Sequence, residues 1–366
     1  MTRPGALERA NAAAPTPAIR RRIHGELPPE AFQPRPARVL PALALVGAIA
    51  TVSIILAARP LPAFAALLLS VFCGGLYASL FFLGHEAGHG AVVKSRGAQD
   101  AVMWPAFVIF LLSPTLWRVW HNTVHHVHTN QPDYDPDNFG TLATYDAFPS
   151  VRVVATLTPG SGRWGGLLYG SIWFTAHAQV VLWVQSRRCR GFESLARARA
   201  SAESLGMAAF WLSLAVWLGP WSSLVVVVIP MLIANAIIMS YIATNHLLRP
   251  LGDHADPLDH SMSVTTHRWL DLIHFNFSHH VEHHLFPSMS SRYAPLVRAK
   301  LRRYAAERYV APSHGRALRL VFQTPRVHDP HGALIDPRSG RRASFEEIDT
   351  ELRPAQPTQT RSEVNV

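Results

Sequence analysis

Three short stretches carry histidines at spacings that place them on shared helical faces. They are His85 and His89 in GHEAGHG, His121, His125 and His126 in WHNTVHHVHTN, and His280, His283 and His284 in FSHHVEHHLFP. On an α-helix His280 lies within about 40° to 60° of each of its two partners. A single surface histidine is most often an ordinary polar group. Eight in three helix-spaced groups, next to apolar runs, are different, because leaving so many ionisable groups uncompensated where water is scarce is costly and metal coordination offsets that cost. Imidazole suits zinc, copper, iron and nickel alike. Eight nitrogens exceed what one ion holds, so two ions are implied. A dinuclear all-nitrogen site favours redox iron over structural zinc, whose closed sites use four ligands and often cysteine.

The elements that must position these histidines are apolar. Of 366 residues 49% are hydrophobic and only 16% charged, and the charges gather at the ends and near the histidines, which is a membrane-protein pattern. Cys73 and Cys189 are the two cysteines. They cannot build a thiolate metal site, and Cys73 lies in an apolar run, so a disulfide framework is not expected. The net charge of +10 comes from arginines scattered through tails and loops, a pattern that suits anionic headgroups rather than nucleic acid. No GxGxxG or Walker-type loop argues for a nucleotide.

Taken in order, residues 1–37 are rich in Ala, Pro and Arg, with Arg20, Arg21 and Arg22 in a row, and read as a disordered basic tail. The first apolar run begins too late and lasts too long for a secretory signal peptide. A membrane domain is expected over 38–325, with spans at about 39–58 and 63–83 around the RPLP break and at about 205–219 and 222–244 around Gly219–Pro220. The stretches at about 101–116, with Pro105 and Pro114, and 166–185, with His177 and Gln179, read as interfacial helices. Residues 326–366 read as a polar tail. Arg20 to Arg22, Arg35 and Arg38 precede the first span and only Arg59 lies in its hairpin loop, which places both termini and all the clustered histidines on the cytoplasmic side. The expected fold is all-α: an integral membrane protein with four transmembrane helices in two hairpins and a cytoplasmic helical cap holding the histidine-rich site.

HEAGH, HNTVHH and HHVEHHLFP, in this order, resemble the three histidine boxes of the membrane fatty acid desaturases, from about Val39 to about Tyr304. The VEHHLFP string is the most specific part. The resemblance implies a di-iron centre that uses molecular oxygen and two electrons to leave a double bond in the acyl chain of a lipid. Its ligands would be His85, His89, His121, His125, His126, His280, His283 and His284, with no catalytic residue beyond them. Family members also tend to carry a further histidine near the end of the fourth span, for which His246 stands ahead of His274. The second box reads HxxxHH where many desaturases have HxxHH; on a regular helix this spacing still puts His121 and His125 on one face. It leaves room for a di-iron alkane or lipid hydroxylase, and a carotenoid ketolase or hydroxylase shares the boxes too. A metal transporter is disfavoured, since the four expected spans hold no histidine or acid. The electron donor would be a separate ferredoxin or small cytochrome, as two cysteines leave no fused iron–sulfur domain. Glu86 and Glu282 are candidate partners for the outer imidazole N–H, with His128 and His279 behind them. His177 reads as interfacial, DYDPDNF as a solvated turn, and Trp117 and Trp120 as interfacial anchors that could also line an acyl entrance.

Overall fold

The computed structural model describes residues 15–353. Helix α1 is Thr16–Glu26, α2 Val39–Ala58, α3 Ala63–Gly88 and α4 Arg96–Phe107. After them come α5 Gly165–Trp183, α6 Arg197–Ser223 and α7 Ile229–His246, then α8 His280–Leu285, α9 Ala294–Tyr304, α10 His314–Gln323 and α11 Phe345–Leu352. Among the described residues four helical stretches are long and apolar enough to cross a membrane: Pro36–Ala58, Ala63–Gly88, Gly165–Arg187 and Arg197–His246.

Burial along α2 shows why such a helix needs lipid. Only Ala42, Ile49, Val52 and Leu56, a single stripe, face the protein. Leu43 on the other side is 62% exposed, as is Val216 on α6 at 86%, so apolar side chains cover the outer surface where a water-soluble fold would place polar ones. Close approach is bought with small residues: a Cβ on Gly74 of α3 would stand 2.6 Å from the Ile233 Cβ of α7. Gly219, at φ 73° and ψ 174°, breaks the run before Pro220, where the sequence places its break.

The segment around Pro105 bends sharply. Arg96–Phe110 and Pro114–His128 meet at 105°, through Leu111 in the left-handed region at φ 52°. The carbonyls freed at such a break must be met inside the protein. Gln179 and Ser204 donate to the Leu111 carbonyl at 2.9 and 3.0 Å, and the Trp211 indole donates to that of Val108 at 2.7 Å. Gln179 belongs to α5, which the sequence places at the interface on account of His177 and Gln179. Both residues turn into the protein instead. His177 lies 3.0 Å from Asp137, and α5 packs on α7, with Thr175 N–H donating to Asn235 Oδ1 at 2.9 Å.

Both ends of the described chain are more ordered than their composition suggests. Residues 1–14 and 354–366 lie outside the described part, but the rest of each expected tail is built. Helix α1 buries Ile19 and Ile23, which with Leu27 and Ala31 join Val297 and Leu301 of α9 in a small core. Beyond 325 a three-stranded antiparallel sheet forms from β1 Val327–His328, β2 Ala333–Ile335 and β3 Arg342–Ser344. Helix α11 then starts on a capping box between Ser344 and Glu347 and buries Ile348 and Leu352. Two apolar residues per two turns in α1, and strands of two or three residues, are too little signal for a periodicity reading to detect.

Candidate metal centre

The histidine boxes come from three elements that meet at one end of the apolar helices. His85 lies in the last turn of α3, and His89 caps it. The second box lies on a π-helical turn, Arg118–His125, closed by the His126 N–H on the His121 carbonyl. The third lies on α8, and His246 is the last residue of α7.

All nine residues expected as ligands come together, in two groups. His85, His89, His121, His126 and His283 form one, and His125, His246, His280 and His284 the other; within each group the candidate ligand atoms lie within 4.8 Å of one another. His274 falls in neither, its Nδ1 lying 2.9 Å from the Tyr241 hydroxyl. The second box splits otherwise than a regular helix predicts: the π turn pairs His121 with His126, Nε2 to Nε2 at 3.1 Å, and sends His125 to the other group. Closing the loop on the fifth residue absorbs the extra residue of HxxxHH. The third box splits as well, with His280 beside His284 at 3.0 Å and His283 beside His126 at 3.0 Å.

The donor set fits two metal ions. His121 Nε2 has two close nitrogen neighbours, His85 Nε2 at 2.8 Å and His126 Nε2 at 3.1 Å. His280 Nε2 likewise faces His246 at 2.6 Å and His284 at 3.0 Å. A ring nitrogen carries one hydrogen or one lone pair, so hydrogen bonding cannot serve two such neighbours at once. Lone pairs converging on a shared cation can: nitrogens about 2.1 Å from an ion and at right angles are about 3.0 Å apart. His89 Nε2 is buried with no protein partner, which fits the same role. Burial and then the neighbouring imidazoles push His280 and His284 well below the usual histidine range, and burial followed by His125 takes His283 down to about 3. Neutral imidazole is the ligating form; His125, whose burial is outweighed by Asp135 and Asp137 so that it is raised to about 9, has to give up a proton to join them.

The groups that orient these rings come from the acidic loop that reads as a solvated turn. Asp135 is fully buried, and both its oxygens lie 3.1 Å from His125 Nδ1, with Asp137 at the same distance. Asp135 is itself held by the Asn130 N–H at 2.8 Å. This carboxylate–histidine arrangement fixes the tautomer and points Nε2 into the site. His284 Nδ1 lies 3.3 Å from the Thr129 hydroxyl, which donates to the His125 carbonyl. Glu86 and Glu282 contact no imidazole in this way. Glu86 accepts from Arg38, Ser290 and the Ser291 N–H, and Glu282 from Arg298 at 2.9 Å and Tyr309 at 2.5 Å; they brace the helices that carry the boxes. His128 stacks on Tyr134, and His279 contacts Ser278; both stand outside the two groups.

A cleft opens onto the histidines, with walls that include Phe81, Tyr169, Trp173, Phe174, Met239 and Phe277. His85 and His121 of the first group and His125, His246 and His280 of the second line it together. Trp117 and Trp120, read as anchors, are buried in its wall; Trp117 stacks on His121 and Trp120 donates to Asp137. Asp137 and His177 also face the cleft.

The sequence model of the fatty acid desaturase family matches residues 59–316. The chain belongs to that family. Its relatives within it include the sn-1 oleoyl-lipid 12-desaturase of Synechocystis sp., 24% identical over 241 residues, which are 61% of this chain and 65% of that protein. The acyl-lipid (9-3)-desaturase of Borago officinalis is 26% identical over 258 residues, 60% of this chain and 56% of the relative. The chloroplastic omega-6 fatty acid desaturase of Spinacia oleracea is 22% identical over 282 residues, 72% of this chain and 59% of the relative. The chain thus spans less than two thirds of the length of each. Among the described residues it combines helices long and apolar enough to cross a membrane with a cluster of histidines that could hold metal ions.

Proposed function

We propose that this protein is an oxygen-dependent desaturase that places a double bond in the acyl chain of a membrane lipid. The observation that carries this reading is the apolar cleft onto which both histidine groups open. His85, His89, His121, His126 and His283 would hold one iron, and His125, His246, His280 and His284 the other. When bound, the iron pair supplies an oxidant able to break an unactivated C–H bond. The chain's own residues do the rest. Phe81, Phe174, Met239 and Phe277 give a methylene chain an apolar bed and keep water from the site. Position along that bed selects the carbons that face the histidines, since nothing in a saturated chain activates one methylene over the next. Asp135 and Asp137 hold the His125 ring, so the second group keeps its geometry between turnovers.

The same reading pairs α2 with α3, and the two parts of Arg197–His246 on either side of Gly219, as membrane hairpins. It sets the histidine-bearing cap and both termini in the cytoplasm, where a ferredoxin or small cytochrome can reach them. The test is lipid analysis by gas chromatography and mass spectrometry of a host expressing the chain, beside a His283→Ala, His284→Ala variant. New unsaturated acyl chains that vanish in the variant are expected. Hydroxylated chains in their place would assign the protein to the hydroxylases, and an oxidised carotenoid to the ketolases.

A further inference from the structure

A second concavity reaches the histidine centre and shares no lining residue with the apolar cleft. It is a groove that includes Arg20, Arg21 and His24 of α1, His254 and Asp256 of the loop after α7, and His284. None of these residues belongs to a candidate span. Arg20, Arg21, His24 and His254 are exposed. The carboxylate of Asp256 is already taken, by Arg308 at 2.9 Å and the Thr16 hydroxyl at 2.8 Å. Glu26, at the end of the same helix, is held by Lys300 at 2.5 Å and Tyr304 at 2.8 Å. Arg302 and Arg303 stand exposed on α9, against which α1 packs. The groove therefore presents unspent positive charge around a path that ends on a histidine of the second group.

We propose that this groove is the docking site for an acidic one-electron carrier protein, and that α1 is ordered in order to build it. The inference rests on the desaturase reading, which requires such a carrier. Converting RCH2CH2R′ to RCH=CHR′ with dioxygen forms two waters; oxygen takes four electrons, two from the broken C–H bonds and two from two carrier molecules, each oxidised by one, and two protons come from solvent. The acyl chain occupies the cleft, so the carrier needs another approach, and the groove is one that meets the centre without crossing the cleft. Lipid headgroups would also match the charge, but a headgroup has no need of a path to His284. Complementary charge steers such encounters and makes them salt-sensitive.

The experiment uses the full chain, purified in detergent, with a plant-type [2Fe–2S] ferredoxin and an acidic b-type cytochrome as probes. Binding of each is followed by biolayer interferometry for the wild type, an Arg20→Glu, Arg21→Glu variant, and Arg163→Glu, an exposed position outside the groove. Thermal midpoint and bound metal are checked for all three. At least one carrier is expected to bind the wild type and Arg163→Glu alike, with a Kd about tenfold or more higher in the double variant, and the gap should close near 1 M salt, where screening reaches about 3 Å. Turnover driven by dithionite should be equal in all three. Binding of neither carrier to the wild type, equal binding to the folded double variant, or loss only of binding to anionic vesicles would each overturn the proposal. Absence of alkene with every reductant would instead sink the desaturase reading, while the binding data still judge the groove.

Discussion

At the scale of the residue, ring nitrogens are sorted by what lies behind them. His125 is the clearest case, with two carboxylates at 3.1 Å fixing its Nδ1. We expect Asp135→Asn to keep the fold and to lower metal affinity about 10- to 100-fold, read by competition with a chelator followed by metal analysis; His128→Ala, outside both groups, should leave affinity unchanged. A buried histidine outside both groups sets a pH response. His328 in β1 is pushed down to about 4 by burial, against the backbone carbonyls of Arg249 and Gly140 that favour its charge. The unfolded chain takes up a proton there below about 6.5, whereas the folded chain stays neutral to about 4. Stability attributable to His328 is therefore flat above pH 6.5 and falls as pH drops through the window from about 6.5 to about 4. Across that window the thermal midpoint of His328→Asn should fall less steeply than that of the wild type; parallel curves would refute the assignment.

At the scale of the element, the π turn decides which histidines meet. Deleting Thr123 turns HNTVHH into HNVHH, the spacing common in the family, and lets an ordinary i, i+4 helix pair the first and last histidine of the box. We expect this deletion to retain more than about half of the metal, because the π turn exists to absorb that residue. Deleting Ala87 between His85 and His89 should abolish metal binding, since no π turn there can take up the change. Metal content of the purified variants checks both. Loss of metal on deleting Thr123 would show that the turn has a purpose beyond spacing.

At the scale of the whole molecule, segments distant in sequence close over the site. Glu86 on α3 is gripped by Arg38 before α2 and by Ser290 and Ser291 after α8, and α1 packs on α9 through Ile23, which is fully buried. Ile23→Ala should cost about 2–4 kcal/mol by the loss of buried methylenes and the cavity left behind, seen as a lower thermal midpoint. If α1 were a loose tail the midpoint would not move.

Much of this protein is legible in one dimension. Charge-free runs of about twenty residues announce membrane helices because a bilayer tolerates little else. Clustered histidines announce a metal because no cheaper use exists for so many buried imidazoles, and all nine named from sequence assemble, His246 included. What tertiary structure alone decided is which histidine belongs to which group, because one residue added to a helix turns every later side chain by about 100° unless the helix bulges, and the bulge at His121–His126 depends on its surroundings. The same holds for Asp135 and Asp137, whose use rests on a loop folding back on its own helix, and for α1, α11 and the small sheet, which bury too little by themselves to leave a pattern. Contacts across hundreds of residues order them, and no local period records such contacts.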